Sequence, residues 1–275
     1  MSGASSKEEA PDQPVANPKS QWFKWQKSKT ANFGPPWWVI LNTLVIFIIS
    51  QLVAVFLVDL GLQVIHRGGS LSTALDKSAA AQFFYVLIAE GLAVVFVIWA
   101  LRGRRLPLSA IGLGRRPRRR DLTRGLLGFG AFYVLLIITS ILLTLIFPDL
   151  KVNQKQDVGF NNLATLSDGI LAFVALVLVP PLGEETLVRG YLYSGLRSRW
   201  KFLPALLVTS LLFALAHLQP DNPAGLVWGA AINTFLLSVV LVYLRENTGA
   251  LYAGMLVHCL NNVIAFTVHF HGALF

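Results

Sequence analysis

A chain of 275 residues that is 55% hydrophobic and only 13% charged, with a mean hydropathy of +0.61, has too little polar surface to be an ordinary soluble domain. Its net charge of +9 would point to nucleic acid in a soluble protein, but the basic residues cluster beside hydrophobic runs, where they set topology and meet anionic headgroups; no nucleic-acid partner is expected. One cysteine, Cys259, excludes an intrachain disulfide and a cysteine-built zinc site.

Residues 1–34 are rich in Ser, Pro, Asn, Gln and Lys and poor in aliphatics, which predicts a disordered cytoplasmic tail. Apolar runs long enough to cross ~30 Å of hydrocarbon then recur, and the alternating ~10-residue pattern of a barrel is absent. The fold class is all-α: a polytopic transmembrane bundle of about seven helices, with six to eight as the range, forming one domain over residues 35–275. The first run extends from Trp37 to Ile65 and the second from Ala81 to Leu101, with Glu90 at mid-membrane and no partner visible. A loop carrying Arg102, Arg104, Arg105, Arg115, Arg116, Arg118, Arg119, Arg120 and Arg124 precedes the third run, Gly125 to Phe147. The positive-inside rule places that loop, and with it the N-terminus, in the cytoplasm, across the cell inner membrane from the C-terminus. Within the loop, Leu106 to Gly114 reads as plain loop rather than an interfacial segment.

The fourth run starts near Gly169 and meets Pro180-Pro181 after about a dozen apolar residues. It spans only when read through to Leu196, as a helix interrupted at the proline pair. The fifth run, Leu203 to Leu218, halts at Gln219-Pro220; the sixth, Gly225 to Leu244, returns to Arg245; the seventh covers Ala250 to Phe270. Gly225 and Gly229 offer a close-packing helix face, which leaves the oligomeric state open.

Charges and imidazoles inside these runs are expensive in hydrocarbon and are read by default as functional. Counted from the turn at Trp200-Lys201, Glu184 lies about 17 residues before and His217 about 16 after, so on antiparallel neighbours they are level. His258 lies shallower and converges with them only if helix tilt allows. Glu185 and Arg189, one turn apart, form an ion pair on one face and leave Glu184 free to act as a base. Such a set suits peptide hydrolysis: a carboxylate to deprotonate water, a histidine to orient it, and donors for the oxyanion. Glu184, His217, His258 and Asn262 fill those roles, and Phe213 is a packing wall. Alternatives remain. Glu184, His217 and His258 are also three zinc ligands in type, giving a zinc-dependent form of the same protease, although no His-Glu-x-x-His is present and no cofactor is otherwise expected. A structural polar network, a proton-coupled transporter using Glu184 and Glu90, and a non-enzymatic peptide-binding or bacteriocin-immunity protein are the others. Cys259 and Asn233 read as packing and interhelical contact, Asn261 is undecided, and His269 and His271 read as interfacial.

Glu184-Glu185-x-x-x-Arg189, Phe213-x-x-x-His217 and His258-x-x-x-Asn262, in that order on successive membrane segments, resemble the motifs of the CAAX-processing and bacteriocin-processing (CPBP) intramembrane proteases. The resemblance covers residues 169–270. It implies a glutamate-type endopeptidase, of a family often called metalloproteases, acting on a peptide or protein substrate whose lipidation is left open, in contact with membrane lipids. By it Glu184 and His217 activate water, His258 and Asn262 form the oxyanion hole, and Glu185 and Arg189 support them.

Overall fold

The computed structural model describes residues 31–65, 71–148, 157–221 and 225–274. The expectation of a disordered tail falls on residues 1–30, outside that set, and on four residues inside it. Of those four, Phe33 is buried and packs edge-on against Tyr191 at 5.8 Å.

The described residues form α1 (Pro36–Val64), α2 (Leu71–Lys77), α3 (Ala79–Gly103), α4 (Arg119–Ile146), α5 (Leu166–Arg199), α6 (Phe202–Ala216), α7 (Trp228–Thr248) and α8 (Tyr252–Leu274). Local chemistry sets their ends. A proline opens α1, the Ser78 hydroxyl caps α3 by accepting from the Ala81 N–H, and Thr165 and Asp168 cap α5 reciprocally. Gly249, at φ +67°, closes α7 in the left-handed conformation.

Six helices, α1, α3, α4, α5, α7 and α8, are long and apolar enough to cross a membrane, which makes the chain an integral membrane protein. The seventh apolar helix, α6, has 15 residues, or roughly 22 Å at ~1.5 Å per residue, short of a full crossing. It ends at His217 because the chain then turns into a two-residue pairing, Pro220–Asp221 with Gly225–Leu226. Gly225 therefore belongs to a strand and Gly229 to the first turn of α7, so they do not form the close-packing helix face expected of them.

α5 is the central element. Every residue from 185 to 196 is buried, and α5 touches α1, α3, α6, α7 and α8. α4 is peripheral, with only 6% of its most apolar window buried against 44% for α7. The loop between α3 and α4 is more than a plain connection. A 3-10 turn, Leu108–Ile111, drives Ile111 into the core beside Gly190. Arg124 donates to the Asn247 carbonyl at 2.6 Å and Leu251 N–H to the Gly112 carbonyl at 3.3 Å, tying the loop to the α7–α8 turn. Arg245, expected as a charge at the cytoplasmic surface, is buried: it donates to Ser194 Oγ at 3.0 Å and to the Ala110 carbonyl at 3.3 Å. Its neighbour Glu246 instead gathers Arg197 at 2.8 Å and the Tyr193 hydroxyl at 2.5 Å. These polar partners, all near the arginine-rich end, make burial of that charge tolerable.

Candidate active site

Pro180 and Pro181 interrupt the hydrogen-bond ladder of α5 without diverting its path. Leu178 and Val179 keep helical dihedrals (−102°, −40° and −72°, −49°), and the strain is absorbed by π-helical turns at Val174–Leu178 and Glu185–Leu192. Val179 N–H reaches back five residues to the Val174 carbonyl. The Leu176 carbonyl then has no helical donor, because residues 180 and 181, which would serve it in an α or a π turn, are both prolines. The side chain of Asn262 on α8 supplies the missing donor, Nδ2 to Leu176 O at 2.9 Å. The break in α5 is thus stitched to α8 by one of the predicted site residues.

Just beyond, α5 carries Glu184 and Glu185, and both face His258. His258 Nδ1 lies 3.1 Å from Glu185 Oε1 and Nε2 lies 3.7 Å from Glu184 Oε2. The expectation that the two carboxylates face apart is therefore modified: adjacent residues diverge, but an imidazole between them is wide enough to meet both. Glu185 Oε1 also accepts from Arg189 Nη1 at 2.8 Å, with both side chains essentially removed from solvent. The Arg189 guanidinium stacks 4.0 Å from the centroid of Phe213. A desolvated cation–π contact of this kind contributes on the order of 2 kcal/mol. The Phe213 ring in turn lies 4.6 Å from the His217 ring and 6.2 Å from that of His258, so it is the common wall of the site.

His217 sits at the C-cap of α6, where its Nδ1 is 2.8 Å from the Phe213 carbonyl. A carbonyl only accepts, so Nδ1 carries a proton, and in the neutral ring Nε2 is the acceptor. Glu184 is the less constrained carboxylate: its side chain is 23% exposed, whereas that of Glu185 is 1% exposed. Glu184, His217, His258, Asn262 and Phe213 all line one cavity of about 490 Å³, which continues past Asn233, Thr234 and Asn261 to His269.

Several of these were missed or misjudged from sequence. Asn233, read as an interhelical contact, lines the cavity, and its Oδ1 is enclosed without a hydrogen-bond partner among the described residues. Asn261 lines it too, accepting from the Tyr133 hydroxyl at 3.5 Å, and His269 is also part of its lining. Their signal was an amide or imidazole in an apolar run, as for Asn262. Glu90 does not line the cavity; its carboxylate is pressed against Gly183, where an added Cβ would come within 2.0 Å of Oε2. Among the described residues no three His, Cys, Asp or Glu side chains are grouped closely enough to hold a metal ion.

Residues 166–264 match the family described as type II CAAX prenyl endopeptidase Rce1-like. An uncharacterized 24.3 kDa protein of Escherichia coli is 34% identical over 96 residues, which is 34% of this chain and 42% of that protein, so less than half of the relative's length is matched. The membrane-embedded CAAX protease MroQ of Staphylococcus aureus (strain USA300) is 27% identical over 187 residues, 66% of this chain and 71% of that protein. No solved structure matches the chain. The matched stretch, about a third of the chain, runs from the start of α5 into α8 and contains every residue of the three motifs.

Proposed function

We propose that the chain is an intramembrane endopeptidase in which Glu184 activates water to hydrolyse a peptide bond. The observation that carries this reading is the division of roles between two adjacent carboxylates. Glu185 is committed to Arg189 and His258, whereas Glu184 opens into the cavity, where among the described residues no cationic side chain pairs with it apart from His258 at 3.7 Å. In this reading Glu184 takes the proton of a water held against His217 Nε2, and the hydroxide oxygen bonds to the substrate carbonyl carbon. The oxyanion forms beside His258 and Asn262. In its doubly protonated form His258 donates from Nδ1 to Glu185 and presents Nε2–H to the cavity, and Asn262 has a second amide hydrogen beyond the one given to Leu176. Collapse breaks the C–N bond, and the proton held by Glu184 passes to the leaving amine. Each step uses side chains of this chain, and none is routed through a metal.

The substrate class is proposed from the family and from MroQ: a C-terminal peptide held at the membrane by a lipid. The Arg-rich loop and N-terminus face the cytoplasm of a cell whose inner membrane the bundle crosses, the C-terminus lying opposite. The test is cleavage of a farnesylated and an unfarnesylated C-terminal peptide by the purified chain in liposomes. Cleavage of the lipidated peptide, unchanged by a metal chelator, is expected. Binding without cleavage would favour the non-enzymatic reading, and loss of activity with chelator, restored by zinc, would favour the zinc-dependent one.

A further inference from the structure

A second cavity, of about 610 Å³, lies between α1 and α3 and shares no lining residue with the first. Its size falls in the ~300–1,000 Å³ range that encloses a small molecule. Val45, Ile46, Ile49, Phe96 and Trp99 supply most of its apolar lining, with Trp38 from the start of α1 and Gly103 and Arg104 from the end of α3 completing it. From Trp38 to Ile49 is eleven residues along α1, about 16 Å at ~1.5 Å each, or roughly one leaflet of a ~30 Å hydrocarbon core.

Arg104 is held where α3 ends. Its guanidinium lies over the backbone of Gly34, where φ is +94° and an added Cβ would come within 2.9 Å of a guanidinium nitrogen. No carboxylate among the described residues pairs with it, and the exposed Arg102 and Arg105 flank it. The groove's amide side chain, Asn42, already donates to the Tyr191 hydroxyl at 2.7 Å. A peptide lying here would leave its backbone N–H and C=O groups unpaired against two closed helices, at several kcal/mol each. An acyl chain has no such groups.

We propose that this groove is a binding site for an anionic glycerophospholipid, one acyl chain lying along Val45, Ile46, Ile49 and Phe96 and the phosphate meeting Arg104, with Arg102 and Arg105 nearby. Through Asn42 the lipid bears on Tyr191, two residues after Arg189 on α5, so occupancy supports the helix that carries Glu184 and Glu185.

The test is native mass spectrometry of the full chain in detergent with phosphatidylglycerol or phosphatidylcholine of identical acyl chains. Wild type is expected to retain phosphatidylglycerol preferentially. Arg104→Gln should cut that preference about fivefold, since one basic residue at a lipid surface contributes ~1 kcal/mol. Val45→Trp, a lipid-facing change that fills the groove, should abolish retention with helicity by circular dichroism unchanged. Arg120→Gln, on the exposed start of α4, should leave it as in wild type. A photo-crosslinking residue at Phe96 should yield lipid adducts. Equal retention of the two lipids by wild type, an unaltered preference in Arg104→Gln, or Phe96 adducts to residues 1–30, to a second copy or to a farnesylated peptide would overturn the proposal.

Discussion

His258 stands between two carboxylates that differ in what else they hold. Glu185 shares one oxygen between Arg189 and His258, and with all three side chains buried the group is an ion-pair network in a low-dielectric core. Arg189→Ala leaves a buried carboxylate uncompensated and should cost about 3–5 kcal/mol, read as a large drop in melting temperature in detergent. Arg189→Lys restores charge without the planar face over Phe213 and should fall between. Gly183 carries a different constraint, because no Cβ fits 2.0 Å from Glu90 Oε2. Gly183→Ala should destabilise by about 1–3 kcal/mol through overpacking, and adding Glu90→Ala should recover part of the loss, since it removes the carboxylate but keeps the Glu90 Cβ 2.8 Å from the added methyl. If the double variant melts no higher than Gly183→Ala alone, the Glu90 carboxylate is not what excludes a side chain there.

At the scale of elements, α5 works because α8 repairs it. The proline pair removes two donors, and Asn262 answers one orphaned carbonyl. Asn262→Ala should therefore cost about 1–3 kcal/mol, the penalty of a buried carbonyl left unpaired. In a Pro180→Ala background, where an N–H is restored, the same change should cost less, with a coupling of at least about 0.5 kcal/mol in thermal unfolding. Additive effects would show that the amide does not serve this break. Both partners were visible in the sequence as anomalies, but their connection was not, because apolar counting supplies depth along a helix and no rotation about it. The same limit hid the approach of Glu185 to His258 and the cavity-facing turn of Asn233 and Asn261. The Glu185–Arg189 pair was legible, since it lies within one helical turn.

At the scale of the molecule, the seven apolar helices among the described residues follow the runs read from composition, because each needs only length and hydropathy. What composition misses is where polar partners make burial of a charge possible. Arg245 enters the core because Ser194 and the folded-back 108–111 turn meet it, and neither is near it in sequence. Sidedness is checked by single cysteines in a Cys259→Ala background. Arg116→Cys should be labelled only from the cytoplasmic side and Asp157→Cys only from the other; exchanged sides would show an inverted topology, and labelling of both from one side would contradict the number of crossings between them. The central claim is that Glu184 does the chemistry while its neighbours hold the site together. Its most direct test is single-turnover cleavage of a farnesylated peptide by Glu184→Gln against wild type in liposomes, with peptide affinity measured in parallel. The account predicts unchanged affinity and folding with cleavage slowed about 10²–10⁴-fold; cleavage within a factor of a few of wild type would contradict it.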